Sequence, residues 1–420
     1  MLTALFTIII TNIVCAADLS KSFKSKTYKN IDLSAAIITY VELQDISSPK
    51  KTPLSTYYEP TFLGNNVFSP VSSDMIESLF LNSARGSTRN ELMTYLGITD
   101  DKIKPFSDMY RPELAYLNDI ENVELYLGNA IYVHKSVDLT NDFLSLCTNE
   151  RHCSISKVDF KNNVETTKAI NSWVQEKTND EISQIISLGY IDKDTKIMLV
   201  NVVYLNVSLD NVGKIDKRKF YPFPSKMFFL PTINFDNLKF IHGEIPQWSA
   251  KFVEISILNA NITITIFLPY EEMKLEGLEY LLDKIDLSEL RLLKTINHYE
   301  NIDYLFLPIF RIVHDENVTD NFYQEGVTTM FGDDADLTNL SKIPLKVNSI
   351  IQANFINIDI GKSEVPNVDR NKVRNLVGSQ KELVINCPFI YVIEVNEETI
   401  FVGIMQTSNF IYRRHKTDEL

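Results

Sequence analysis

Few residues in this chain have the types and spacing that chemistry requires. The acidic stretch Gly332–Asn339 suggests a calcium site, but it lacks the glycine and the terminal glutamate of an EF-hand loop. His152 stands beside Cys153, and such a pair is more often a surface feature than part of a zinc site. The sequence contains no nucleophile elbow, no His-Glu-x-x-His motif and no glycine-rich phosphate loop. We therefore expect no enzyme activity, no metal and no cofactor.

The cysteines offer one candidate disulfide. Cys147 and Cys153 lie close in the sequence and could close a small loop in an oxidising compartment. Cys15 lies in an N-terminal apolar segment, and Cys387, just before Pro388, is expected to be a buried free thiol. The disulfide prediction therefore depends on whether the chain enters the secretory pathway.

Residues 1–16 are typical of a signal peptide. The chain is apolar from Leu2 to Val14, and Val14, Cys15 and Ala16 are placed as signal peptidase prefers, so we predict cleavage before Ala17. The apolar segment is shorter than the ~20 residues of a membrane span, and no second run of that length follows. A signal anchor is the alternative, since no Lys or Arg precedes the apolar segment. After cleavage we expect no membrane span.

The C-terminus resembles a second targeting signal. Its last residues, Thr417–Leu420, are similar to the Lys-Asp-Glu-Leu sequence that returns soluble proteins to the endoplasmic reticulum (ER). We expect an ER-resident protein if this tail is functional and a secreted one otherwise. Either route would allow glycosylation of Asn-x-Ser/Thr sites. The four such sites are Asn206, Asn261, Asn317 and Asn339.

Composition places the chain among large globular proteins. Its 420 residues are 45% apolar and 11% aromatic, enough to bury a sizeable core. The formal net charge is −14, without a basic face, which argues against binding to nucleic acid. We expect a soluble monomer.

The hydrophobic pattern predicts a mixed α and β protein in which strands dominate the second half. Apolar spacing predicts helices at Asn30–Gln44, Asp74–Leu96 and Glu165–Ile186. The predicted strands are Ile197–Val207, two within Ala250–Pro269, Ile302–Phe310, Phe355–Ile360, and a hairpin within Pro388–Met405 that turns at Asn396–Thr399. The segment Asn357–Gln380 begins at the end of the strand Phe355–Ile360 and precedes the hairpin. It is polar, basic and free of aromatic residues.

Several long segments resemble one family, the serpins. The segments occur in the family order, at Asn65–Gly97, Val158–Ile182, Ile197–Asn206, Leu307–Ser341 and Cys387–Met405. The resemblance implies an α+β fold, a single domain over residues 17–416, with three β-sheets and about nine helices. It also implies an exposed reactive-centre loop at about residues 360–382. In this alignment Gly332–Asn339 is simply a turn after a helix.

The resemblance assigns a set of polar residues to the "shutter", where strands of the large sheet move apart. Ser69, Ser72 and Asn201 match this motif, and Gln352 stands where most serpins have histidine. Helix capping is an alternative role for the two serines. Leu209 replaces the usual tryptophan, and residues 210–236 are shorter and less familiar than the family pattern.

The hinge that precedes the reactive site departs from the family pattern. Inhibitory serpins have Glu-Glu-Gly-Thr-Glu and then alanines, so that the cleaved loop can insert into the sheet as a strand. Strand alternation places Ser363, Val365, Asn367 and Asp369 on one face, and the resemblance implies that this face points inward. Pro366 removes a ladder donor. The hinge residues are Lys362, Ser363, Glu364, Val365, Pro366 and Asn367. We therefore expect slow or incomplete insertion.

Two functions remain open after this alignment. In the first, the loop meets a serine endopeptidase, with the scissile bond after Leu376, Asn375 or Arg374, and trapping is weak. In the second, the chain is a non-inhibitory ER serpin that binds a client protein as a chaperone. A serpin that keeps only the fold is a third possibility.

Overall fold

The computed structural model describes residues 65–108, 122–150, 153–209, 214–223, 226–236, 240–257, 261–270, 274–285, 304–360, 382–396 and 398–406. All of them belong to one compact unit that extends over Lys50–Leu420. The predicted signal peptide (residues 1–16), the helix at Asn30–Gln44, His152 and the tail Thr417–Leu420 lie outside the described residues.

The described residues contain seven α-helices and fifteen strands. The helices are α1 (Pro70–Ser83), α2 (Gly86–Leu96), α3 (Asp100–Asp108), α4 (Asn141–Ser145), α5 (Asn163–Lys177), α6 (Lys274–Lys284) and α7 (Val318–Gln324). The strands are β1 (Asn66–Phe68), β2 (Val123–His134), β3 (Ser154–Val158), β4 (Ile197–Leu209), β5 (Lys214–Phe223), β6 (Lys226–Asp236), β7 (Ile241–Ile245), β8 (Ala250–Ile257), β9 (Ile262–Pro269), β10 (Tyr304–Pro308), β11 (Phe310–Asn317), β12 (Ser349–Ile360), β13 (Glu382–Val384), β14 (Phe389–Val395) and β15 (Glu398–Met405).

The strands form three sheets. Sheet A has the order β11-β12-β4-β2-β3, sheet B has β1-β15-β14-β9-β8-β7, and sheet C has β13-β10-β6-β5. The predicted α+β class with three sheets is confirmed. No helix in the described ranges is long and apolar enough to cross a membrane.

Two predicted helices are wrong in extent. Asp74–Leu96 is two helices, because Ala84 and Arg85 are extended and Gly86 has a φ of 53°. The break is fixed from outside, since the Arg85 amide donates to the Asp336 carbonyl at 2.9 Å. The helix predicted over Glu165–Ile186 ends at Lys177. The backbone enters the left-handed region just after it, at Asn179 and Asp180.

Some of the strand predictions are confirmed and others are wrong in extent or missing. The strand predicted at Ile302–Phe310 is two strands of different sheets, β10 and β11, separated by Ile309. No strand was predicted within 214–236, but β5 and β6 pair there as a hairpin. β2 was also missed, although it is central to sheet A. The hairpin around Asn396–Thr399 is confirmed as β14 and β15.

Sheet A separates two apolar layers. On its front, Ile170 and Val174 of α5 pack with Val202 of β4 and with Ala353 and Phe355 of β12. On its back, the largest apolar cluster contains side chains of all three sheets. Because both faces are covered, the centre of sheet A is a buried interior rather than a surface.

Candidate functional site

The candidate site is the boundary between β4 and β12, which we call the seam. The two strands run parallel and pair without interruption from Ser349 opposite Met198 to Ile360 opposite Leu209. Their outer neighbours, β2 and β11, pair antiparallel to them. A parallel pair is slightly less stable per residue than an antiparallel one. A strand inserted antiparallel between β4 and β12 would therefore exchange one parallel ladder for two antiparallel ladders.

Behind the seam, Asn201 is the centre of a buried hydrogen-bond network. Its Oδ1 accepts from Ser72 Oγ at 2.7 Å and from Gln352 Nε2 at 3.0 Å. Its Nδ2 donates to Asn129 Oδ1 at 3.0 Å and to the Gly128 carbonyl at 3.3 Å. Asn129 and Gln352 lie directly opposite Asn201 on the neighbouring strands. The amide thus joins β2, β4 and β12 to α1.

A fifth member extends this polar cluster, which consists of Ser72, Asn129, Asn201, Gln352 and Asn354. Asn354 Nδ2 donates to Gln352 Oε1 at 3.0 Å and to the Val67 carbonyl at 3.4 Å. All five side chains are buried. Since an unpaired buried amide is costly, the cluster is stable only while the strands keep this register.

The capping role for the two serines is wrong. Ser69 is the N-cap residue of α1, but its hydroxyl makes no capping hydrogen bond. Ser72 bonds to Asn201 instead of to the helix backbone. The Ser69 hydroxyl is buried and has no hydrogen-bond partner among the described residues, so the structure brings Ser72, Asn201 and Gln352 together but does not join Ser69 to them.

At the front of the seam, polar side chains connect its two strands near their C-terminal ends. Asn357 Nδ2 on β12 donates to Asn206 Oδ1 on β4 at 2.9 Å. Tyr204, two positions before Asn206, stacks on Phe355 with a centroid separation of 5.0 Å. Separation of the strands would break both contacts.

The segment after α5 is attached to strands on both sides of the seam. Asn179 Nδ2 donates to Glu124 Oε2 of β2 at 3.0 Å, and Arg311 of β11 forms an ion pair with Glu181. Burial and a hydrogen bond to Glu124 raise the pKa of Tyr204, so its hydroxyl stays protonated and donates to that carboxylate. Together these contacts hold the segment across the front of the sheet.

Sequence reasoning missed Asn129 and Asn354. Asn129 is the one amide side chain in β2, and Asn354 is on the same face of β12 as Gln352 because strand side chains alternate. That alternation was the available signal. The partners could not be deduced, because they depend on the register between strands.

The predicted reactive-centre loop, at about residues 360–382, lies outside the described residues from 361 to 381. The hinge residues Lys362, Ser363, Glu364, Val365, Pro366 and Asn367 and the scissile candidates Arg374, Asn375 and Leu376 all belong to this range. The strands on either side are described. β12 ends at Ile360, opposite Leu209 of β4, and β13 begins at Glu382, where it pairs parallel to Tyr304 of β10.

The four glycosylation candidates have different surroundings. Asn261 is exposed in the turn between β8 and β9. Asn206 contacts the seam as described above, and Asn317 is the N-cap residue of α7. Asn339 accepts from Arg85 Nε at 2.6 Å and donates to the Asn82 carbonyl at 3.1 Å.

Cysteine and metal chemistry contribute little to the site. The structure joins Cys147 and Cys153 in a disulfide with a Cα separation of 5.1 Å, and Cys387, which was predicted to be buried, is half-buried. Within the described ranges, no group of three or more His, Cys, Asp or Glu side chains is arranged to hold a metal ion. Gly332–Asn339 is a turn after a short 3-10 helix.

Comparison with known proteins places the chain in one family. The family model described as Serpin (serine protease inhibitor) matches residues 58–407. Antichymotrypsin-2 of Bombyx mori is 26% identical over 76% of this chain and 85% of its own length. Leukocyte elastase inhibitor of Sus scrofa is 24% identical over 81% of this chain and 92% of its own length.

A solved structure shows the same fold at lower identity. Human thyroxine-binding globulin is 19% identical, with a TM-score of 0.73 over 87% of this chain and 99% of that protein. The fold therefore occurs both in proteins named for protease inhibition and in one named for binding thyroxine. The family model covers well over half of this chain, which shows that the chain belongs to the serpin family.

Proposed function

We propose that this chain presents a reactive-centre loop, at about residues 360–382, to serine endopeptidases but traps them poorly. The family match and the inhibitor names of its relatives support the first part. The hinge sequence supports the second and is the observation that carries the proposal. The chain acts in this account as a monomeric bait rather than as an enzyme.

The seam sets what an inserting strand must satisfy. On the back of β12, Gln352, Asn354 and Ile356 are buried; on its front, Ala353 and Phe355 pack under α5. A strand entering between β4 and β12 therefore buries side chains on both faces. In the inward set, Asn367 would cost about 1–3 kcal/mol as an unpaired amide, and the charge of Asp369 several more.

Pro366 adds a second obstacle to insertion. It has no amide hydrogen, so it removes one donor from what would be a central strand, where proline is seldom found. Trapping is a race between insertion and hydrolysis of the acyl-enzyme. A slow hinge therefore converts an inhibitor into a substrate.

Incubation with trypsin tests this proposal. Arg374 suits a trypsin-like pocket, so we expect cleavage between Arg374 and Asn375 and release of active protease. The products are separated on a denaturing gel, and the new N-terminus is sequenced. A predominant SDS-stable complex with the summed mass of serpin and protease would contradict weak trapping. Absence of any cleavage in the loop would contradict recognition by trypsin-like proteases.

The alternative is a non-inhibitory serpin that binds an ER client. The tail Thr417–Leu420 together with the degenerate hinge favours it. Deletion of the tail should move the protein from the ER to the culture medium, whereas unchanged secretion would reject retrieval. Capture of a specific client from ER lysate, with no loop cleavage by endopeptidases, would favour this alternative over the first proposal.

Entry into the secretory pathway predicts a glycan at Asn261. This side chain lies on an exposed turn, and the one hydrogen bond that it makes to a described residue runs from its amide to Asn396 Oδ1 at 2.8 Å, so a sugar fits. A glycosidase that removes N-linked glycans should increase the gel mobility of the wild type. In Asn261→Gln this increase should be smaller by the contribution of one glycan. Asn339→Gln is the comparison, since its amide is already bonded to Asn82 and Arg85. A fully unglycosylated protein would contradict ER entry.

A further inference from the structure

The β5–β6 hairpin of sheet C presents an unusual exposed surface. Tyr221 is 38% exposed, Met227 41% and Phe229 59%. Lys217 and Lys219 are exposed beside them. Lys219 pairs directly opposite Phe229, so these two side chains share one face of the sheet. We call these five residues the hairpin face.

The two lysines of the hairpin face have no ionic partner among the described residues, although the chain carries a net charge of −14. Another cation of β5, Arg218, does not belong to this surface. It points to the other side of β5, where its guanidinium carbon lies 3.3 Å from the centre of the Phe306 ring. The hairpin face is therefore a locally cationic surface with apolar side chains on an acidic protein.

The hairpin face is close to the strand that follows the reactive-centre loop. β5 is an edge strand of sheet C, and β13, which follows the loop, is the opposite edge. Three strand spacings separate them, about 14 Å. The Tyr221 amide also donates to the Asn386 carbonyl, just beyond β13, at 2.8 Å. A protein that engages the loop near β13 would be within reach of the hairpin face.

We propose that the hairpin face is a second contact surface for the protease that cleaves the loop, and that it binds an acidic patch with an apolar centre. Exposed aromatic and methionine side chains are enriched in protein interfaces, whereas a sulfated polysaccharide would bind chiefly through the cations. Unpaired lysines at an interface rim raise association rates with an acidic partner. This inference rests on the proposed function, because the partner is the protease that recognises the loop.

The test uses two trypsins with the same specificity pocket and opposite net charge. We compare kcat/KM for loop cleavage by anionic and cationic trypsin in the wild type and in K217E/K219E. The matched control is K161E/K168E, which changes two exposed lysines at α5. We expect K217E/K219E to lower kcat/KM with anionic trypsin about tenfold at low salt, and high salt to remove most of this difference. Adding F229S to K217E/K219E should lower kcat/KM with anionic trypsin further without changing its dependence on salt.

The alternative outcomes are distinct. Equal losses in K217E/K219E and K161E/K168E would show a general charge effect and overturn the inference. Unchanged kcat/KM in K217E/K219E, with loop cleavage intact, would overturn it while leaving the proposed function standing. Lower retention of K217E/K219E on immobilised heparin without slower cleavage would assign the surface to a polysaccharide and also overturn it. No loop cleavage in the wild type would contradict both the proposed function and the inference.

Discussion

Replacing Asn201 with alanine is expected to lower the free energy of unfolding by about 3–5 kcal/mol. The substitution leaves Ser72 Oγ, Gln352 Nε2, Asn129 Oδ1 and the Gly128 carbonyl without the amide that pairs them. Each is buried behind sheet A, where an orphaned polar group costs about 1–3 kcal/mol. Urea denaturation followed by two spectroscopic probes measures the change.

Asn90→Ala provides the matched control for this prediction. Asn90 is exposed on α2, and its side chain contributes no hydrogen bond to the network behind the seam. The control should change the free energy of unfolding by less than about 0.5 kcal/mol. If Asn201→Ala changed the free energy of unfolding as little as Asn90→Ala, the polar cluster would not be what holds β2, β4 and β12 together.

Replacing Pro366, Asn367 and Asp369 with alanine is expected to turn this chain into an efficient trap. The change restores a ladder donor and removes an amide and a charge from the inward face of the inserting strand. A barrier lowered by only about 3 kcal/mol would accelerate insertion more than a hundredfold. In the wild type we expect less than half of the trypsin to be in an SDS-stable complex. In the hinge variant we expect more than half.

The control for the hinge variant lies beyond the predicted scissile bond. Ser379→Ala with Gln380→Ala alters the same loop, but residues on that side do not insert with the hinge. This variant should behave like the wild type. If the hinge variant also remained a simple substrate, the obstacle would lie in the sheet and not in the hinge.

The sequence predicted the framework of the site because its parts are locally encoded. The apolar strand β4 is visible from its composition, whereas only the second half of β12, Phe355–Ile360, was predicted. The family motifs locate Ser72, Asn201 and Gln352. Asn129 and Asn354 were not found, because their role depends on which strand lies opposite, and only the sheet order determines that. For the same reason, the uninterrupted pairing of β4 with β12 up to Ile360 could not be predicted from the sequence of either strand alone.

Two other differences show where local patterns mislead. The β5–β6 hairpin was missed because lysine and exposed aromatic side chains alternate there, so its outer face does not look polar. The break between α1 and α2 was missed because a distant carbonyl, that of Asp336, accepts the Arg85 amide. In both cases tertiary contacts override the local pattern.

Thermal unfolding before and after a single cleavage in the loop tests the central claim most directly. Insertion into the seam would replace the parallel ladder between β4 and β12 with two antiparallel ladders and stabilise the cleaved protein strongly. Our account predicts that the melting temperature of the wild type rises by less than about 5 °C, equivalent to about 4 kcal/mol for a domain of this size. A rise above about 20 °C would show that the hinge inserts readily, which would contradict the account.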